Sequence, residues 1–173
     1  SELAETEAVI GEFAPSALVS DRDGTVNNYC ARYRSSVQSA YNAVFLTRFA
    51  QTITGLATIL SSAPLWNDGL LRVTVSPRDA FVYAGSKGRE FRAPRGREQQ
   101  APLHEDDERL LTELADRLDT LLQEPEYRAF RLVGSGFQRK RGELTVARQD
   151  IAGGVPETRA REFRERIEGL IDE

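Results

Sequence analysis

Methionine is absent from this 173-residue chain, and cysteine, histidine and tryptophan occur once each. One thiol, Cys30, excludes an intramolecular disulfide framework and a cysteine-rich zinc site. With no histidine near it in sequence, it reads as an inert thiol. His104 stands where a helix is expected to begin and reads as a capping or surface residue. A chain of this size ordinarily contains a few methionines, so the expectation is a processed or cut-down product. Long apolar runs are also missing. None approaches the length needed to cross a bilayer, and the N-terminus lacks the basic-then-apolar order of a signal peptide. The expected location is the cytoplasm, with no membrane partner.

Positive charge is in short supply. Lysine and arginine number 23 against 27 acids, a net charge of −4. That argues against a nucleic-acid partner, because phosphate backbones reward a clustered positive surface. Basic residues do gather locally, at Arg89, Arg92, Arg95 and Arg97, and again at Arg139, Lys140 and Arg141. They read either as solvated loop charge or as a rim facing a phosphate or a partner. The apolar share of 40% and charged share of 29% are those of a soluble globular protein. The length suits one domain, or a small core carrying an inserted subdomain.

Residues 1–14 are acidic and small, and are expected to form a loose arm or short helix. Ala17-Leu18-Val19-Ser20 is a short apolar run that stops at Asp21 and reads as a buried strand. From Arg34 to Thr54 the apolar residues Val37, Tyr41, Val44, Phe45, Phe49 and Ile53 recur at spacings of three and four, which predicts an amphipathic helix. Ala57–Leu60 reads as a second buried strand. Strand, helix, strand in this order is a βαβ unit with parallel pairing and a right-handed crossover. Leu70–Val75 and Phe81–Ala84 read as two further strands about a Ser76–Asp79 turn. Residues 85–102, rich in Gly, Pro, Arg and Gln, read as a linker or long hairpin. Leu103–Gln123 predicts a helix with acids in its first turn and a leucine face. Phe130–Ser135 and Glu143–Arg148 are expected to pair antiparallel around Arg139–Gly142, and Pro156 to open a last helix with Phe163, Ile167 and Leu170 inward. The natural cut falls near residue 86.

The chemistry concentrates in Asp21-Arg22-Asp23-Gly24-Thr25, at the carboxyl end of the first strand, where open α/β sheets bind their ligands. Two carboxylates one residue apart, with the chain turning at Gly24, can face one site. One can act as nucleophile on phosphorus, dividing a hard hydrolysis into two displacements. The other can protonate the leaving alcohol and later activate water. Both would repel a dianionic phosphate unless a hard cation intervened, and Mg2+ suits because it shares oxygen ligands with phosphate.

This pentapeptide after a strand resembles the first motif of the haloacid dehalogenase superfamily of phosphatases. The resemblance implies that Asp21 is the nucleophile and a Mg2+ ligand. It implies that Asp23 is the general acid/base and contributes its backbone carbonyl to Mg2+, with Gly24 and Thr25 beside the phosphate. The family's second motif, a phosphate-binding Ser or Thr at the end of the second core strand, falls on Ser61, with Ser62 as the neighbouring alternative. Within the superfamily the chain resembles the trehalose-phosphate phosphatases and relatives acting on glycosyl phosphates. Their Ser-Gly-Arg-Pro reads Ser61-Ser62-Ala63-Pro64 here, and their Ala-Gly-Ser-His-Gly reads Ala84-Gly85-Ser86-Lys87-Gly88. Their cap strands Glu-x-Lys and His-Tyr-Arg read Gln138-Arg139-Lys140 and Val146-Ala147-Arg148. By this resemblance Lys140, Arg148, Gln138 and Lys87 would contact the sugar. The departures favour a related compatible solute, such as glucosylglycerol phosphate, over trehalose phosphate itself. The loop Asn27–Arg34 offers amides, tyrosine hydroxyls and the guanidiniums of Arg32 and Arg34 to a sugar or phosphate, or is an ordinary helix-entry loop.

The fold expected is α/β: a Rossmann-like parallel-sheet core, incomplete in this chain, over residues 1–86, with an α+β cap over 87–173. The family's later lysine and its acidic pair after a strand have no counterpart, so the isolated chain is expected to show little turnover. The function expected is a Mg2+-dependent sugar-phosphate phosphatase of trehalose or compatible-solute biosynthesis. The alternatives are a phosphomutase, a catalytically silent domain regulating or scaffolding a glycosyl-phosphate synthase, and a non-enzymatic interaction module. A fused or associated glycosyltransferase is the expected partner.

Overall fold

Five short strands form one sheet in sequence order: β1 (Ala17–Asp21), β2 (Leu56–Leu60), β3 (Val82–Gly85), β4 (Glu90–Arg92) and β5 (Glu98–Gln100). The computed structural model describes residues 15–52, 55–151 and 153–172, with Ala4, Glu5, Ala8, Gly11 and Glu12. The arm expected over residues 1–14 lies largely outside the described residues, as do Ile53 and Thr54 of the expected first helix.

β1, β2 and β3 pair in parallel, and β4 and β5 add to β3 antiparallel. The sheet is therefore mixed: β1, β2 and β3 are the expected parallel core, and β4 and β5 extend it antiparallel. The stretch 85–102 supplies its hairpin, so strand pairing continues through Gln100, beyond the cut expected near residue 86. The crossover from β1 to β2 is α1 (Ala40–Thr52). Its inward residues are Ala43, Ala50 and, in part, Leu46; Ala50 and Leu46 meet Ala57 and Ile59 of β2 with Leu65, Leu70, Phe81 and Tyr83. Small side chains let the helix lie close to the sheet.

Four expectations are corrected here. Helix α1 begins at Ala40, later than Arg34, and its expected apolar face is not the packed one. Tyr41 is 71% exposed, and Val37, Val44 and Phe45 are exposed with it. β1 is an edge strand among the described residues, with Val19 66% exposed. Leu70–Val75 is a loop rather than a strand, with Leu70, Leu71 and Val73 buried. Its amides bond back to Pro64 and Leu65 carbonyls, and the Gln38 side chain accepts from the Val75 and Ser76 amides and the Ser76 hydroxyl. Burial without a strand partner explains the apolar run. Finally, Phe130–Ser135 is not a strand. Arg128–Arg131 is a 3-10 turn, and Gly134 and Gly136 take φ of +49° and +64°, which breaks extension until residue 137.

The second unit packs α2 (Glu105–Leu121) and α3 (Glu157–Asp172) beside the hairpin β6 (Phe137–Lys140) and β7 (Glu143–Val146), with a small ribbon β8 (Gln149–Asp150) and β9 (Gly153–Gly154). His104 caps α2 as expected, its Nδ1 accepting from the Asp106 amide at 3.3 Å. Four acids occupy the first turn, where the helix dipole favours them. Leu118, Leu121, Leu122, Tyr127, Phe130 and Phe163 form a second core, with the Phe130 and Phe163 rings stacked 4.3 Å apart. The architecture is α/β with an α+β unit. No helix among the described residues is long and apolar enough to cross a membrane.

Candidate active site

β1 ends at Asp21, and the chain reverses at once. The carbonyl of Arg22 accepts from the amides of Val26 and Asn27 at 3.1 and 3.0 Å, and the Gly24 amide donates to Asn27 at 2.7 Å. Gly24 makes the turn at φ +86°. A Cβ there would lie 2.4 Å from Tyr29 Cε2, so the position needs glycine for both conformation and space. The reversal puts Asp21, exposed, and Asp23, partly exposed, on one side, while Arg22 turns inward to 2% exposure.

Arg22 is the residue that sequence reasoning missed. Its Nη1 lies 2.5 Å from Asp23 Oδ1, and Nη2 donates to the Ser36 carbonyl. Ser36 Oγ donates to the same Asp23 Oδ1 at 3.0 Å. One carboxylate oxygen is thus held by two donors, leaving Oδ2 for other work. The guanidinium also stands 5.4 Å from the centre of the Tyr33 ring. A long charged side chain between two acids offers no periodicity that would announce its burial.

Asp21 and Asp23 open onto a cavity of about 570 Å³ between the sheet and the second unit. Ser61 and Ser62 line it at the end of β2, and Gln138, Lys140 and Thr145 face it from the β6–β7 hairpin. Tyr29, Cys30 and Tyr33 complete one wall. The structure therefore brings together Asp21, Asp23, Ser61, Ser62, Gln138 and Lys140. Gly24 and Thr25 shape the turn without lining the cavity. Lys87 and Arg148 stand apart from it: Lys87 Nζ pairs with Glu143 at 2.6 Å, and Arg148 with Glu157 at 2.6 Å. Arg32 and Arg34 also face away, and Arg34 pairs with Asp68.

The hairpin is fastened to the sheet by an ionic and hydrogen-bonded seam. Glu143 bridges Lys87 and, at 3.1 Å, Lys140. Lys87 and then Lys140 hold its carboxyl down to about 2. The Arg141 amide donates to Ser86 Oγ at 3.1 Å, and that hydroxyl donates to the buried carboxylate of Glu90 at 2.5 Å. Glu90 in turn accepts from the Leu65 amide at 3.1 Å. Lys140, with its side chain only 6% exposed, is held over the acids.

A family profile described as "Trehalose-6-phosphate phosphatase, C-terminal" matches residues 18–173. The trehalose-phosphatase of Brugia malayi is 34% identical over 152 residues, covering 87% of this chain and 30% of that protein. The UDP-forming α,α-trehalose-phosphate synthase 1 of Caenorhabditis elegans is 33% identical over 154 residues, covering 88% of this chain and 12% of that protein. A solved structure of Aspergillus fumigatus trehalose-6-phosphate phosphatase superposes with a TM-score of 0.48 at 16% identity, over 98% of this chain and 58% of the other. This chain spans between 11% and 36% of the length of the curated relatives it matches. It belongs to the trehalose-6-phosphate phosphatase family.

Proposed function

We propose that this chain carries the nucleophile and the sugar-facing hairpin of a Mg2+-dependent sugar-phosphate phosphatase of the haloacid dehalogenase type. The observation that carries the reading is that Asp21, Asp23 and Ser61 line one cavity beneath Gln138 and Lys140. In the first step Asp21 attacks phosphorus, the bond from phosphorus to the sugar oxygen breaks, and the departing oxygen takes a proton from Asp23 Oδ2. In the second step Asp23 accepts a proton from water, which attacks phosphorus, and the bond to Asp21 breaks to release inorganic phosphate. Arg22 and Ser36 hold Asp23 Oδ1 through both steps, so the proton-bearing oxygen keeps its aim.

The donor set around Asp21 suits Mg2+, being hard oxygen. The Asp21 carboxylate and the main-chain carbonyl of Asp23 would hold the ion; Asp23 Oδ1 already has a cationic partner in Arg22. When bound, Mg2+ offsets the negative charge of the phosphoryl oxygens. No group of three potential ligand side chains gathers among the described residues, so further ligands would come from water, from substrate, and from the acidic pair that the resemblance implies.

The substrate proposed is a glycosyl phosphate, with trehalose phosphate supported by the relatives named trehalose-phosphatases. Gln138, where the family resemblance carries a glutamate, supports glucosylglycerol phosphate as the next to try. A location in the cytoplasm accompanies this reading. The test is phosphate release from a panel of sugar phosphates with Mg2+ by the full-length protein and its Asp21→Asn variant. Release abolished by Asp21→Asn is expected; release that persists removes the nucleophile.

A second reading is favoured by the relatives named as trehalose-phosphate synthases. In it the same domain is silent and regulates or scaffolds a glycosyltransferase on the same polypeptide. The panel separates the two, because a silent domain releases no phosphate from any substrate.

A further inference from the structure

Tyr33 is fixed in place by its surroundings. Its amide donates to the Gly134 carbonyl at 3.1 Å, and its own carbonyl accepts from the Ser36 amide at 2.9 Å. The Arg22 guanidinium faces its ring. The side chain stands in the wall shared with Asp21, Asp23 and Ser61. There its hydroxyl oxygen is cut off from solvent, and beside the Ser61 hydroxyl it makes no hydrogen bond of full geometry. Native proteins keep few such groups, and each calls for a reason. Burial pushes the phenol up to about 12, against the lowering pull of Arg22. It therefore keeps its proton at neutral pH, and the acceptor it faces is the Ser61 hydroxyl.

Ser61 is the hydroxyl beside it. Ser61 Oγ accepts from the Ala63 amide at 3.2 Å, which occupies one of its two lone pairs and leaves its single proton free to rotate. We propose that Tyr33 is a positioning residue for Ser61: as an oxyanion enters the cavity, the Tyr33 hydroxyl donates to the remaining lone pair of Ser61 Oγ. With Ala63 and Tyr33 on both lone pairs, the Ser61 proton has one direction left, toward the oxyanion. The marginal Tyr33–Ser61 contact is then drawn into a full hydrogen bond in the loaded site, so the interaction favours binding over the empty state. This rests on the reading in which Ser61 meets the phosphoryl group.

The experiment is a double-mutant cycle on the full-length protein, titrated with inorganic phosphate in the presence of Mg2+ by calorimetry. Tyr33→Phe is expected to weaken phosphate roughly five- to tenfold, the scale of one hydrogen bond to a charged acceptor network. Ser61→Ala is expected to weaken it at least as much, and the double variant no further than Ser61→Ala alone. The thermal midpoint of Tyr33→Phe is expected to stay level or rise, because a buried hydroxyl without a full hydrogen bond has been removed. Independent losses from the two substitutions overturn the proposal. So does unchanged phosphate affinity in Tyr33→Phe, whether or not its thermal midpoint falls; if Ser61→Ala still weakens binding, the phosphate site itself stands. A wild-type protein that binds no phosphate overturns both readings together.

Discussion

Arg22 Nη1 lies 2.5 Å from Asp23 Oδ1, so the second acid of the site is bound to the residue immediately before it. The pair is asymmetric: the guanidinium is 2% exposed and the carboxylate 27%. The cation belongs to the interior, held also by the Ser36 carbonyl, and the acid is presented by it to the cavity.

Arg22→Met is expected to destabilise the fold by about 1–3 kcal/mol, because it leaves the part-buried Asp23 carboxylate and the Ser36 carbonyl without their shared partner. Arg22→Lys should recover only part of that loss. An ammonium lacks the planar fork that serves Asp23 and Ser36 together. Urea denaturation followed by the fluorescence of Trp66, the single tryptophan, measures both. Equal stability of all three proteins would contradict the role given to Arg22.

Gly24→Ala is expected to cost about 1–3 kcal/mol from the left-handed backbone alone, with the clash against Tyr29 added to it. Tyr29→Ala in the same chain should relieve the clash and leave the backbone strain. The thermal midpoints of the two variants and their combination separate the two contributions. Phosphate release should fall in Gly24→Ala, since the turn aims both Asp21 and Asp23.

Acid should loosen the seam between the hairpin and the sheet. The Glu143 carboxyl titrates at about 2 in the fold against an ordinary value of 4.5. A depressed folded value contributes stability that is present above the ordinary value and is lost as pH falls from about 4.5 toward 2. Glu143→Gln is expected to flatten that part of the curve of thermal midpoint against pH, and to leave the curve's shape above pH 6 unchanged. A variant whose acid limb is as steep as that of the wild type would contradict the bridge.

Phe163→Ala should weaken the second core by about 3–5 kcal/mol. The ring is 4% exposed and meets both Phe130 and Tyr127. Circular dichroism at increasing urea reads the loss. A loss below about 1 kcal/mol would mean that the helices do not depend on this ring.

Residues next to one another in sequence were the readable ones. Asp21 and Asp23 at the end of a strand, Gly24 at the turn and His104 before four acids depend on spacings of a few residues, and backbone sterics act at that range. The errors arose where one pattern has two physical sources. Leu70, Leu71 and Val73 are apolar because they are buried, and burial alone does not choose between a strand and a loop. On α1, small alanines pack while Tyr41 and Phe45 stay outside, so counting large apolar residues selected the wrong face. Phe130 and Phe137 are equally suited to a strand, and the glycines at 134 and 136 decide between them through backbone conformation.

By itself the sequence determined one local arrangement: two acids at a strand end, a turn that only glycine makes well, and a serine ending the next strand. Tertiary structure alone decided which distant groups join them. Lys140 and Gln138 come to the cavity, and Lys87 and Arg148 remain outside. Arg22 turns inward to grip Asp23, and the hydroxyl of Tyr33 is left beside Ser61. The physical reason is range. Local geometry follows from the neighbouring residues, whereas the burial of a charge or the isolation of a hydroxyl depends on surfaces contributed from far along the chain.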